Sequence, residues 1–307
     1  MRLATAIAAA FGAVHCMLAA SAALAEEVAT PIMPAQDAYP HISRDGRLVF
    51  QSKRLGGPWK LFVSRLDGSD LRQITDGPGD DVTPKWSPDG TQISFASDRG
   101  GDEDVWIVRA DATDLRNVTN NPGSDSHPSW SPDGRAIVFC SVRQDGENDD
   151  IYVADVDGKN VRQITRNPDG WDTFPSFSPD GRRILFRRLF KQETDGVTIT
   201  NSEVFVMMSD GSDAQNLTKE WFFDGWPAWS PDGTRIAFAS NREDVHQIFV
   251  MNADGTAPTR VVMSAYTDVR PQWLPDGLGL VFNREREGRT ELWQVGLPPA
   301  TSSSAAQ

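Results

Sequence analysis

Apolar residues along this chain come in short bursts that alternate with small or polar neighbours, punctuated by clusters of serine, proline, aspartate and glycine. That pattern predicts short strands and tight turns. The bursts recur. The tetrad Asp-x-x-Pro begins at Asp37, Asp81, Asp125, Asp172, Asp224 and Asp268, in steps of 44, 44, 47, 52 and 44 residues. Each copy reads as four strands. The first follows the proline and closes on an aromatic residue before a turn, as in Pro84-Lys85-Trp86-Ser87-Pro88-Asp89-Gly90. In that turn proline presets φ, aspartate bonds its own backbone and glycine accepts the positive φ. The second strand alternates apolar and small residues, as at Ile93, Phe95 and Ser97. The third is apolar, as in Val105-Trp106-Ile107-Val108, and ends at an aspartate that glycine usually follows. The fourth is short and ends on Thr75, Thr119, Thr165 or Thr218.

A four-stranded sheet cannot bury both faces alone, but stacking such sheets in a ring does so and leaves only short edges. An all-β repeat of about 45 residues therefore predicts a six-bladed β-propeller of four-stranded antiparallel blades. The aromatic residues that close the first strand, Trp86, Trp130, Phe177, Trp229 and Trp273, are expected between blades. The last copy stops after its third strand, Glu291-Leu292-Trp293-Gln294-Val295. Residues 26 to about 31 are expected to supply its missing outer strand and close the ring, since Thr30 precedes Asp37 by seven residues, as the other threonines precede their aspartates by six or seven. The propeller then spans 26–297, and 298–307 form a flexible tail.

Ahead of it, Arg2 precedes an apolar run from Leu3 to Leu24 that ends in Ala23-Leu24-Ala25. This is the anatomy of a secretory signal, with cleavage expected after Ala25 and a periplasmic destination, or secretion as the alternative. Cys16 follows His15 inside the run and lacks the small residue that lipidation requires. Removing residues 1–25 takes away Arg2 and no acid, leaving 29 basic and 43 acidic side chains, a net charge of −14. A surface of that sign repels phosphate backbones and anionic membranes, so neither nucleic acid nor membrane insertion of the cleaved chain is expected. Cys140 is then the only cysteine; it lies in the apolar run Ile137-Val138-Phe139-Cys140 and reads as packing.

The motifs now carry a resemblance. Trp-Ser-Pro-Asp-Gly at 86–90, 130–134 and 229–233, with Phe-Ser-Pro-Asp-Gly at 177–181, resembles the repeat of the TolB-like β-propeller family over about residues 37–295. The ends depart from it, with Ser43-Arg44-Asp45-Gly46 in the first copy and Leu274-Pro275-Asp276-Gly277 in the last. TolB itself carries an α/β domain ahead of its propeller; here the first repeat begins about a dozen residues after the expected cleavage, and no such domain is expected. The resemblance implies work in the cell envelope, with an envelope protein or lipoprotein as partner and a glycan as the other ligand class.

The six repeat aspartates open the first strand on one face and are expected to ring the central channel. Carboxylates ~8 Å apart repel by about 2 kcal/mol at an effective dielectric near 20. Compensation is expected from Arg54, Arg99, Arg143, Arg242 and Arg286 at the end of the second strand, each pairing with the aspartate of its own blade. The fourth copy has Phe190 at that place, with Arg188 close by. No cofactor is expected; a calcium ion on the aspartate ring is the alternative to arginine pairing.

Function is expected where the repeat is broken. Copy four carries an insertion from Lys191 to Ser202, and the loops before copies four and five are aromatic, with Trp171, Phe174, Trp221, Phe222, Phe223 and Trp226. Trp171, Phe190, Trp221, Phe222 and Trp226 are therefore the candidate binding residues of a monomeric, non-enzymatic module. No H-E-x-x-H, G-x-S-x-G, phosphate loop or Cys/His metal spacing occurs. An enzyme acting on polysaccharide, a lyase or hydrolase at the channel mouth, would have to draw on Asp172, Arg188, His127, His246 and Tyr266. A calcium-dependent lactonase-like hydrolase would use the aspartate ring.

Overall fold

The computed structural model describes residues 29–33, 35–143, 148–194 and 197–297. The expected signal sequence, residues 26–28 of the closing strand and the tail lie outside the described residues. The described residues form six four-stranded antiparallel sheets arranged as blades. In blade one the strands run Asp37–Ile42, Arg47–Ser52, Lys60–Arg65 and Arg72–Gln73, hydrogen-bonded in that order. Among the described residues no helix is long and apolar enough to cross a membrane.

Ring closure occurs as expected. Ala29–Met33 pairs antiparallel with Arg289–Gly296 and becomes the outer strand of the last blade, opposing Ala29 to Val295 and Thr30 to Gln294. Ala29 and Met33 face the core while Thr30 and Pro31 face solvent, so the first and last segments of the described chain share one sheet.

The core lies between blades rather than within them. Trp86 packs with Val49, Leu61 and Val63 of blade one and with Ile93 and Phe95 of its own blade. Trp130 does the same between blades two and three, and its indole Nε1 donates to the Lys85 carbonyl 3.2 Å away. Trp229 and Phe177 occupy the same position half-buried. Cys140 is fully buried in its strand, and burial pushes its thiol well above the ordinary range; packing is the role it performs here.

Each blade repeats one further device. Phe50, Phe95, Phe139, Phe186, Phe238 and Phe282 are fully buried in the second strands. Their cross-strand partners are Phe62, Trp106, Tyr152, Phe205, Phe249 and Trp293. Over each pair lies one guanidinium, 4.2–5.7 Å from the ring centroids, and that guanidinium holds the repeat aspartate. A cation on aromatic faces, with its charge met by a buried carboxylate, caps the hydrophobic stack at that face of the propeller.

Candidate functional site

All six repeat aspartates are fully buried, each in an ion pair within its own blade at 2.6–3.2 Å. Arg54, Arg99, Arg143 and Arg242 are the expected partners, and Arg188 serves Asp172 in blade four. The sixth blade corrects the expectation: Arg284, not Arg286, bonds Asp268, at 2.7 Å. Register explains both cases. In blades one, two, three and five the residue opposite the aspartate is a serine, Ser52, Ser97, Ser141 or Ser240. Its hydroxyl accepts Nε of the arginine two residues on, folding that side chain back. In blades four and six arginine itself stands opposite the aspartate, as Arg188 and Arg284. Arg286 lies over Tyr266 instead, 5.3 Å from its ring. Burial pushes the carboxyls of Asp37, Asp125, Asp224 and Asp268 up, and their arginines pull them back.

These aspartates do not line the channel. The residue two positions on does. Every first strand is bulged between the residue after its aspartate and the one four after it, so one extra residue is accommodated. The bulge falls where proline removes a backbone donor and so interrupts the ladder. The residue before that proline has φ of 51–57° in every blade: Tyr39, Thr83, His127, Phe174, Trp226 and Arg270. Non-glycine residues seldom adopt that conformation, and β-branched threonine least of all. At Tyr39 and Thr83 the bulge is held from the preceding blade, where Asn283 Oδ1 and Gln51 Oε1 accept their backbone N–H groups at 3.0 and 2.8 Å.

The six bulge residues converge on the axis and wall a cavity of about 50 Å³. The ring of His127 lies 4.0 Å from that of Phe174, and Arg270 stacks 4.3 Å over Tyr39. Burial pushes His127 down to about 3, with Arg187, Arg270 and Lys85 adding repulsion. Beyond this constriction the channel widens into a basin of about 520 Å³ on the face of the Ser-Pro-Asp-Gly turns. Lys85, Ser176 and Gln272 line both spaces and mark their junction.

On the opposite, aspartate-bearing face, aromatic residues lead out along blade five. Trp226 contacts Phe223 and His246 at centroid distances of 5.7 and 5.6 Å. Phe222 and Trp221 follow at the rim, 37% and 70% exposed. The insertion of blade four forms a long hairpin from Arg183–Thr194 and Val197–Met208. It runs beside this loop: Ser202 bridges Phe223, and Asn201 Nδ2 donates to the Glu220 carbonyl.

The repeat matches the family described as the TolB beta propeller domain over residues 29–143, 112–221 and 197–304. The chain belongs to the TolB β-propeller family. No curated protein sequence matches it. Among solved structures it is similar to a putative TolB from Agrobacterium tumefaciens, at 22% identity and a TM-score of 0.64, covering 88% of this chain and 97% of that one. It is also similar to TolB from Acinetobacter baumannii, at 19% identity and a TM-score of 0.62, covering 84% of this chain and 57% of that one. An oligogalacturonate lyase in complex with manganese has the same fold at 16% identity and a TM-score of 0.60, covering 88% of this chain and 93% of that one.

Within this TolB-family propeller the expected site residues are divided. Trp221 and Phe222 lie together at the rim. Trp171 is half-buried, with the Lys191 ammonium 4.5 Å from its ring centroid. Phe190 packs against the core and lies 5.9 Å from Phe205, while Trp226 faces the channel. Of the residues an enzyme would need, Asp172 is held by Arg188 through two bonds of 2.7 Å. His246 packs edge-on against Phe223, and Tyr266 lies under Arg284 and Arg286. Among the described residues no three His, Cys, Asp or Glu side chains gather as a metal site. With each ring carboxylate in a guanidinium's grip, the aspartate ring is a poor fit for calcium. Sequence reading missed the channel ring itself. Its signal was present: one position between an invariant aspartate and an invariant proline is tyrosine, threonine, histidine, phenylalanine, tryptophan and arginine in turn.

Proposed function

We propose that this chain is a monomeric, non-enzymatic binding propeller of the cell envelope, taking a protein partner at the rim of blades four and five. The reading rests on Trp221 and Phe222, which stand exposed in the loop beside the long hairpin of blade four, next in sequence to Phe223, which contacts Trp226 of the channel wall. Large rigid aromatic side chains dominate protein interfaces because they bury much area at small entropic cost. The signal-like N-terminus and membership of the TolB family support the periplasm as the location.

Affinity capture from envelope extract tests this, comparing wild type with Trp221→Ala and Phe222→Ala. A true anchor costs at least ~2 kcal/mol when truncated, a loss of about thirtyfold in affinity, and exposed positions leave the melt unchanged. Full retention of the captured protein by both variants would move the interface elsewhere, and capture of a glycan in its place would overturn the protein reading.

A further inference from the structure

The charge of the channel opposes that of the molecule. The chain has 43 acidic against 30 basic residues, yet among the described residues no aspartate or glutamate lines the constriction or the basin. Basic residues do: Lys85 and Arg270 at the constriction, and Arg44 at the mouth of the basin. Lys85 donates to Gln272 Oε1 at 3.1 Å. Among the described residues it forms no ion pair, and burial alone pushes its ammonium down to about 8. Arg270 approaches only Glu285, with 4.0 Å between Nη1 and Oε1, and its Nε is buried without a hydrogen-bond partner in the protein. The hydroxyls of Thr83 and Ser176, in the same wall, are likewise buried and unpaired within the protein.

A cation removed from water without a counter-charge is costly, and a cleft lined by one sign of charge in a low-dielectric wall concentrates the opposite ion. Unpaired hydroxyls and a free guanidinium N–H beside that charge are the donors an oxyanion requires. We propose that the channel is a binding site for the carboxylate of a small ligand that enters by the basin and is held at the constriction between Lys85 and Arg270. Planar carboxylate suits the guanidinium's Nε edge, and the narrow space between Tyr39, Phe174 and Trp226 admits the headgroup rather than the whole ligand. The basin, about ten times larger, takes the remainder. This site rests on the channel wall alone and is independent of the aromatic rim.

Calorimetric titration of the full chain tests it with two carboxylate sources, glucuronate for an acidic sugar and N-acetyl-Gly-Gly for a peptide terminus. Glucose, N-acetyl-Gly-Gly amide and inorganic phosphate serve as counterparts. The expected result is binding of at least one carboxylate and of neither neutral counterpart, weakened about tenfold or more in both Lys85→Gln and Arg270→Gln and unchanged in Lys159→Gln on the surface. Whichever carboxylate binds identifies the source. No binding by either acid, equal binding by a neutral counterpart, preference for phosphate, or affinity unchanged in folded Lys85→Gln and Arg270→Gln would each overturn the site.

Discussion

Two layers of the same strand, two residues apart, behave in opposite ways. At the aspartate layer all six blades are alike: a buried carboxylate, a guanidinium and a pair of aromatic rings beneath it. At the bulge layer no two blades agree, and side chains differing in charge, size and polarity meet on the axis. Uniformity is what a closed ring of sheets requires for mechanical reasons, since each blade must present the same faces to its neighbours. Freedom to vary is left where side chains converge on the channel rather than on the repeated faces between blades. The first layer is therefore architecture, and the second is where the six blades of this propeller differ from one another.

Breaking the uniform layer has the largest expected effect. Asp81→Ala leaves Arg99 and Lys60, both bonded to that carboxylate, buried without an anion. Such a loss costs about 3–5 kcal/mol, readable as a lowered denaturant midpoint. A change under ~1 kcal/mol would mean that solvent reaches the pair. The closing strand comes next. Met33 is buried in the cluster that joins blade one to the last blade, so Met33→Ala should cost about 2–3 kcal/mol, whereas Thr30→Ala on the solvent side should change the melt little. Equal effects at both positions would deny that the strand is clasped by its buried face.

The channel layer should respond with the opposite sign. Lys85 has its folded pKa pushed down to about 8 from an ordinary value of 10.5. The unfolded chain therefore binds more protons between those values, and this group makes stability rise as pH climbs from about 8 to above 10. Below about 8 the charged ammonium is a constant penalty. Lys85→Met should accordingly stabilise the neutral-pH protein, by on the order of 1 kcal/mol, and abolish that part of the alkaline rise. A destabilised variant would assign Lys85 to the architectural layer. The smallest effect is expected at the rim, where Trp221→Ala should alter stability by less than about 0.5 kcal/mol; a larger loss would make Trp221 a blade cap.

Sequence alone determined whatever depends on local chemistry repeated at a fixed interval. The six Asp-x-x-Pro tetrads, the Ser-Pro-Asp-Gly turns and the missing outer strand of the last copy were enough to predict the blade number, the strand order and the ring closure. Pairing of aspartate with arginine was legible too, because the aspartate recurs in all six copies and the arginine in five of them, with Arg188 close to the place in the fourth. The choice of Arg284 over Arg286 was not, since it depends on which residue stands opposite Asp268 across the strand pair, and a shift of two residues leaves the apolar pattern unchanged. Nor could the sequence show that Phe190 packs on Phe205 while Trp221 stays in solvent; both are aromatic residues beside loops, and only the neighbouring strand separates them. The channel was decided by tertiary structure in the fullest sense. Its wall takes a bulge residue from each blade, spaced 44 to 52 positions apart, together with Lys85, Ser176 and Gln272 two residues further along their strands, and these meet on an axis that exists only once the ring has closed. A sum over the sequence gives a strongly acidic protein, but the described carboxylates lie within the blades or at the surface, away from the channel wall, and the axis is left to Lys85 and Arg270.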